Sequence, residues 1–234
     1  MQVIRRKSFS GAIVYGLLVV LLCCSTPLLA QQQSVRPGIN DHYQNPDFKL
    51  WQRRFESAGR EVFDMADEIV AALQLKPGMQ VADIGAGTGL FSRRFAGKVG
   101  ASGKVYAIDI SKEFIDNIRR QAHQSGLKNI EAMINTDKSI LLAANSIELA
   151  YVCDTYHHFE YPQAMLASIY QALKKHGRLV VIDFRKDPKI SSSWVMDHVR
   201  ANQQTVRQEI ERAGFRYIKD EDILQGNYFM VFEK

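Results

Sequence analysis

The chain has 234 residues, 46% hydrophobic and 24% charged, enough for one domain of about 200 residues with a real core and too apolar for wholesale disorder. Arg5, Arg6 and Lys7 supply three of the 30 basic groups with no acid before residue 31, leaving 27 against 25 acidic over the rest, which excludes nucleic-acid binding driven by charge. Of three cysteines, Cys23 and Cys24 adjoin near the start and only Cys153 lies in the body, which excludes a disulfide-built fold.

Residues 1–30 read as a secretory signal. Basic Arg5-Arg6-Lys7 precedes an apolar stretch from Ala12 to Cys24, and Pro27 breaks the helix ahead of a cut after Ala30. The alternative is an uncleaved membrane anchor, because Phe9 to Ala30 approaches the ~20 apolar residues a bilayer crossing needs. The expected location is periplasmic or secreted, or else the inner membrane.

Residues 31–50 are polar and rich in Pro, Gly, Asn and Gln, as expected of a linker or surface arm. Over 51–75, Trp51, Phe55, Val62, Phe63, Ala66, Ile69, Val70 and Leu73 recur at helical spacing, with Gly59 as a possible division. These helices would either cap a site as a lid, with Tyr43 and Phe48, or anchor the arm to the core. The basic residues along 53–60 read as a solvated helix face.

Alternating elements follow over 76–234: strand MQVADIG, helix LFSRRFAGKV, strand KVYAIDI, a helix with Ser111 as N-cap and Gly126 as stop, then strands NIEAMIN and IELAYVC. A helix closed by Gly177, strand RLVVIDF, a helical segment from Trp194 to Ala213, and strands FRYIKDEDIL and NYFMVFEK joined through Gln225-Gly226 complete the chain. The pattern predicts an α/β, Rossmann-like, doubly wound seven-stranded sheet, mostly parallel with an antiparallel last strand.

Within VADIGAGTGL, Gly85, Gly87 and Gly89 let the backbone pass close to a ligand. Leu90 stands where a dinucleotide fingerprint has its last glycine, and no Gly-Lys-Ser/Thr follows to cradle phosphate. Asp83 would repel a pyrophosphate but suits an ammonium or sulfonium. Asp109, at the end of the second strand, fits two ribose hydroxyls. Asp137, past the third strand, lies within reach of an adenine amino group.

VADIGAGTG, the acid ending the second strand, the loop acid and the closing hairpin resemble the class I S-adenosylmethionine-dependent methyltransferases over about residues 75–234. The resemblance implies S-adenosylmethionine as cofactor. Asp83, Gly85, Ala86, Gly87 and Gly89 would hold the methionine end, Asp109 with Ile110 the ribose, and Asp137 the adenine side. The similar members act on small molecules, so the implied partner is a small-molecule methyl acceptor.

YVCDTYHHFEYP follows the fourth strand, where such a fold presents its substrate face. His157 or His158 is a candidate base near neutral pH, with Asp154 orienting it or helping to hold the cofactor. Adjacent histidines are expected to point apart, so one at most should face the site. No metal is expected, because the pair lacks i, i+4 spacing and no further His or Cys cluster supports it. Trp194 and Met196 form a candidate second wall. The rival reading is a methyltransferase-like module that binds a ligand or partner in the cell envelope without catalysis.

Overall fold

The computed structural model describes residues 1–2 and 33–234, so the expected signal, Cys23, Cys24 and the cut after Ala30 lie outside the described residues. Among the described residues no helix is long and apolar enough to cross a membrane.

Seven strands form one sheet in the order β3-β2-β1-β4-β5-β7-β6. They are β1 (Gln80–Ile84), β2 (Lys104–Asp109), β3 (Ile130–Ile134), β4 (Ile147–Cys153), β5 (Leu173–Phe184), β6 (Arg216–Asp220) and β7 (Asn227–Glu233). The first five are parallel. β7 runs antiparallel to both neighbours, β5 and β6. The central strands are near-continuous apolar runs because both faces are covered.

Helices α1 (Phe48–Phe55), α2 (Glu61–Asp64), α3 (Ala66–Ala72), α4 (Leu90–Val99), α5 (Lys112–Gln124), α6 (Pro162–Ala172), α7 (Ser193–His198) and α8 (Gln203–Arg212) complete the layers. On one face Ala82, Ile84, Ala150 and Val152 pack with Leu166, Ile169, Val206 and Ile210. On the other, Val81, Leu149, Val180 and Phe229 pack with Ile69, Val70, Leu73 and Phe95. The strand order reverses between β1 and β4, so a crevice opens at their carboxyl ends.

Several local expectations are corrected. The helix expected to run to Gly177 ends at Ala172, because Leu173 is fully buried opposite Ile147 and begins β5 instead. The segment 194–213 is helical as expected, divided into two helices, each with its own cap. The Ser192 side chain accepts from Val195 N–H, and Asn202 Oδ1 accepts from Thr205 N–H at 3.0 Å. Strand β6 stops at Asp220, so six residues rather than a tight turn lead to β7. Glu61 of α2 holds that connection by accepting from the N–H groups of Gln225, Gly226 and Asn227.

Over residues 33–50 the stretch read as a linker or surface arm packs down on the domain. Ser34 Oγ donates to Glu160 at 2.7 Å, and Asn40 Nδ2 donates to the His158 carbonyl at 3.0 Å. Its polar residues thus find acceptors on the rim of the crevice. Gly59, at φ +90°, does divide the N-terminal helices.

Candidate active site

The crevice encloses about 780 Å³. Its floor begins at the loop after β1. Gly85 and Ala86 donate their N–H groups to the Ile108 carbonyl at 2.8 and 2.9 Å, folding the loop back over β2. Gly85 has φ +73°, and a Cβ there would lie 2.2 Å from Thr155 Cγ2. Gly87, at φ +53°, donates to Asp109 Oδ2 at 2.8 Å.

Gly89 differs from the other two glycines: it caps α4 behind the loop and does not line the crevice. A Cβ at Gly89 would lie 2.9 Å from Ile118 Cγ1, so close packing against α5 requires glycine there. Gly89, which the resemblance placed at the cofactor, thus has a packing role in this structure.

Two buried carboxyls sit on the floor. Asp83 accepts from Ser92 Oγ at 2.5 Å, and burial raises its pKa to about 7. Asp109 accepts from Gly87 and from Ser111 N–H, each at 2.8 Å, and burial raises its pKa to about 6 against the pull of these donors. The Ile110 N–H also lies near this carboxyl, which lines the crevice where an outside hydroxyl could reach it. Ile110 beside it is 42% exposed and faces the crevice, which suits the face of a flat ring.

Asp137 lies exposed on the rim. Deeper in, Asn135 Oδ1 is buried without a hydrogen bond, an acceptor that suits an amino group. The Asn-Thr-Asp run after β3 is the signal that was available for Asn135.

Asp154 lines the crevice, but both its oxygens are engaged: Arg60 Nη2 donates to Oδ2 at 2.7 Å and Asn227 Nδ2 to Oδ1 at 2.6 Å. It ties the N-terminal helices to the closing hairpin, so Arg60 belongs to a partly buried ion pair rather than to a solvated face. The carboxylate that orients His157 is Asp183, at the end of β5, which sequence reasoning missed. Asp183 Oδ1 accepts from His157 Nδ1 at 2.7 Å, and its Oδ2 from the His157 backbone N–H at 3.0 Å. In the neutral ring this contact places the proton on Nδ1 and the lone pair on Nε2.

The two histidines do not point apart. Both line the crevice with ring centroids 4.3 Å apart, and His198, from the end of α7, lies 5.1 and 5.3 Å from them. The supporting third histidine that the sequence did not show is supplied by tertiary structure.

The upper wall is aromatic. Tyr43 contacts Trp51 at 4.8 Å between centroids, and Trp51 contacts Phe55 at 5.0 Å. Tyr43 and Phe55 both reach Phe114 of α5, so these residues anchor the arm and cover the crevice at once. Trp194 and Phe184 form the opposite wall, while Met196 does not line it.

Sheet order, antiparallel β7, glycine loop and the acid ending β2 define a class I S-adenosylmethionine-dependent methyltransferase. The family model described as "Methyltransferase domain" matches residues 75–229, and the chain belongs to that family. Curated relatives include the ubiquinone/menaquinone biosynthesis C-methyltransferase of Paraburkholderia phymatum, 29% identical over 117 residues, 50% of this chain and 48% of that protein. The protein of the same name from Pseudoalteromonas translucida is 28% identical over 120 residues, 51% of this chain and 48% of that one. The chain spans about half the length of the curated relatives it matches.

Among solved structures, a SAM-dependent methyltransferase from Aquifex aeolicus is similar with a TM-score of 0.72 at 24% identity, covering 81% of this chain and 99% of that one. A [4+2]-cyclase reaches 0.64 at 16% identity, covering 76% and 84%. These likenesses are of fold, which does not by itself decide a reaction.

Proposed function

We propose that the protein transfers a methyl group from S-adenosylmethionine to a small, flat, conjugated acceptor, by in-line displacement inside the crevice. The observation that carries this reading is the paired floor of Asp83 and Asp109, joined through the glycine loop. A carboxyl beside the loop suits the cationic methionine end, and one accepting at the tip of β2 suits the ribose. Ile110 and Asn135 offer the adenine an apolar face and an acceptor.

Displacement at a sulfonium carbon needs alignment and exclusion of water more than it needs a covalent partner. Tyr43, Trp51, Phe55 and Trp194 supply flat apolar walls for both purposes. The histidine corner lies on the acceptor side of the crevice, where Asp183 fixes the orientation of the His157 ring. The names of the curated relatives, for quinone biosynthesis, agree with a flat acceptor. Export through residues 1–30 belongs to the same reading, and its support is the sequence pattern there. A reporter fused after residue 35 tests it: a cytosolic, uncut fusion overturns export.

Calorimetric titration of residues 31–234 with S-adenosylmethionine, its demethylated product and NAD tests the cofactor. Micromolar binding of the first two and none of NAD is expected. Absence of all three would leave only a tight turn in a repurposed fold.

A further inference from the structure

We propose that His157, His158 and His198 form a binding site for one divalent transition-metal ion of the zinc class on the acceptor side of the crevice. Their ligand nitrogens all lie within 4.8 Å of one another. A zinc ion holding three imidazoles at about 2.1 Å spaces the nitrogens about 3.4 Å apart, so roughly an ångström of side-chain rotation closes the set. Two of the residues lie on the 3₁₀ turn Tyr156–His158 after β4, and the third ends α7. The site thus joins two elements that are far apart in sequence.

Two further observations point to an ion rather than to ring stacking alone. Asp183 receives the Nδ1 proton of His157, which is how a carboxylate behind a ligating histidine fixes its tautomer and strengthens the other nitrogen as a donor. Nδ1 of His158 is buried with no hydrogen-bond partner, a lone pair the fold leaves unsatisfied and a cation would satisfy.

Three imidazoles without an oxygen or thiolate ligand favour zinc, cobalt, nickel or copper over magnesium or calcium. Arg36, which donates to the carbonyls of Asp197 and His198, opposes a cation here, and the charge of Asp183 offsets it. All three histidines line the crevice, so the remaining coordination position faces the space where an acceptor would sit. Neither the site nor its test depends on the methyl-transfer reading.

The experiment is metal titration of the full chain, free of any histidine tag and dialysed against a chelator, with Zn²⁺, Co²⁺ and Mg²⁺ in turn. One Zn²⁺ or Co²⁺ per chain is expected, with the visible absorption of low-symmetry, four-coordinate cobalt, and no Mg²⁺. His198→Ala, at a partly exposed helix end, should weaken binding by more than the roughly 10–100-fold expected for Asp183→Asn. If His198→Ala fails to melt cooperatively, His158→Gln decides in its place. Absence of stoichiometric binding to the folded wild type, or equal affinity in the folded histidine variant, overturns the site.

Discussion

The backbone N–H of Gly87 donates to Oδ2 of Asp109 at 2.8 Å, tying the loop after β1 to the acid that ends β2. The bond joins the two features that point most directly to a nucleoside ligand, and it pre-positions the carboxylate before any ligand arrives. Asp109→Ala removes an acceptor for two hydroxyls, each such charge-assisted bond being worth about 1.5–3 kcal/mol. S-adenosylmethionine affinity should fall by at least about 100-fold in calorimetry. Affinity within a few-fold of wild type would remove Asp109 from the ribose.

Gly85 and Thr155 occupy one another's space. In Gly85→Ala the new methyl would meet Thr155 Cγ2 at 2.2 Å and Oγ1 at 2.4 Å, at a backbone φ of +73° that L residues rarely adopt. A cost of about 2–3 kcal/mol is expected, or roughly 4–10 °C in Tm for a domain of this size. Thr155→Ala, which removes the two nearest atoms, should recover part of that loss in the double variant. No recovery would place the cost in the backbone alone.

The raised pKa of Asp83 makes a signed prediction about stability. The group titrates at about 7 in the fold against an ordinary 3.8, so the native state holds a proton that the unfolded chain has already lost. Its contribution to stability is full below about pH 4 and falls as pH rises to about 7. Asp83→Asn removes that slope, so its Tm relative to wild type should climb between pH 5 and pH 8. A difference that stays constant over this range would contradict the assignment.

Asp154 lies where removing one partner strands the other. Arg60 keeps 23% of its side chain exposed, so Asp154→Ala should cost less than the 3–5 kcal/mol of a fully buried pair, about 2–3 kcal/mol. A Tm lower by roughly 4–10 °C is expected, with resistance to proteolysis lost first around residues 59–60 and 221–226. Asp154→Asn, which can still accept from Asn227, should lose less. A wild-type Tm in the alanine variant would show that the clasp contributes nothing.

Short-range patterns made much of this protein readable before its structure. VADIG and VYAID read as buried strands because parallel strands covered on both faces leave almost no polar positions. Ser111 was legible as a cap, and Gly59 as a break, because both act within a few residues. Asp83 and the first two glycines were legible because ten consecutive residues encode the turn that carries them, and Asp109 because it ends the next strand.

What needed the tertiary structure was every role that depends on a partner distant in sequence. Gly89 packs against Ile118, Leu173 leaves the helix for a strand because it pairs with Ile147, and Asp154 is occupied by Arg60 and Asn227. His157, His158 and His198 come together only because β4 and α7 end at the same edge of the sheet, and Asp183 reaches His157 only because β5 lies beside β4. Local periodicity carries no information about which strand ends are neighbours. That is decided by the burial of the whole sheet, and the chemistry of the crevice follows from it.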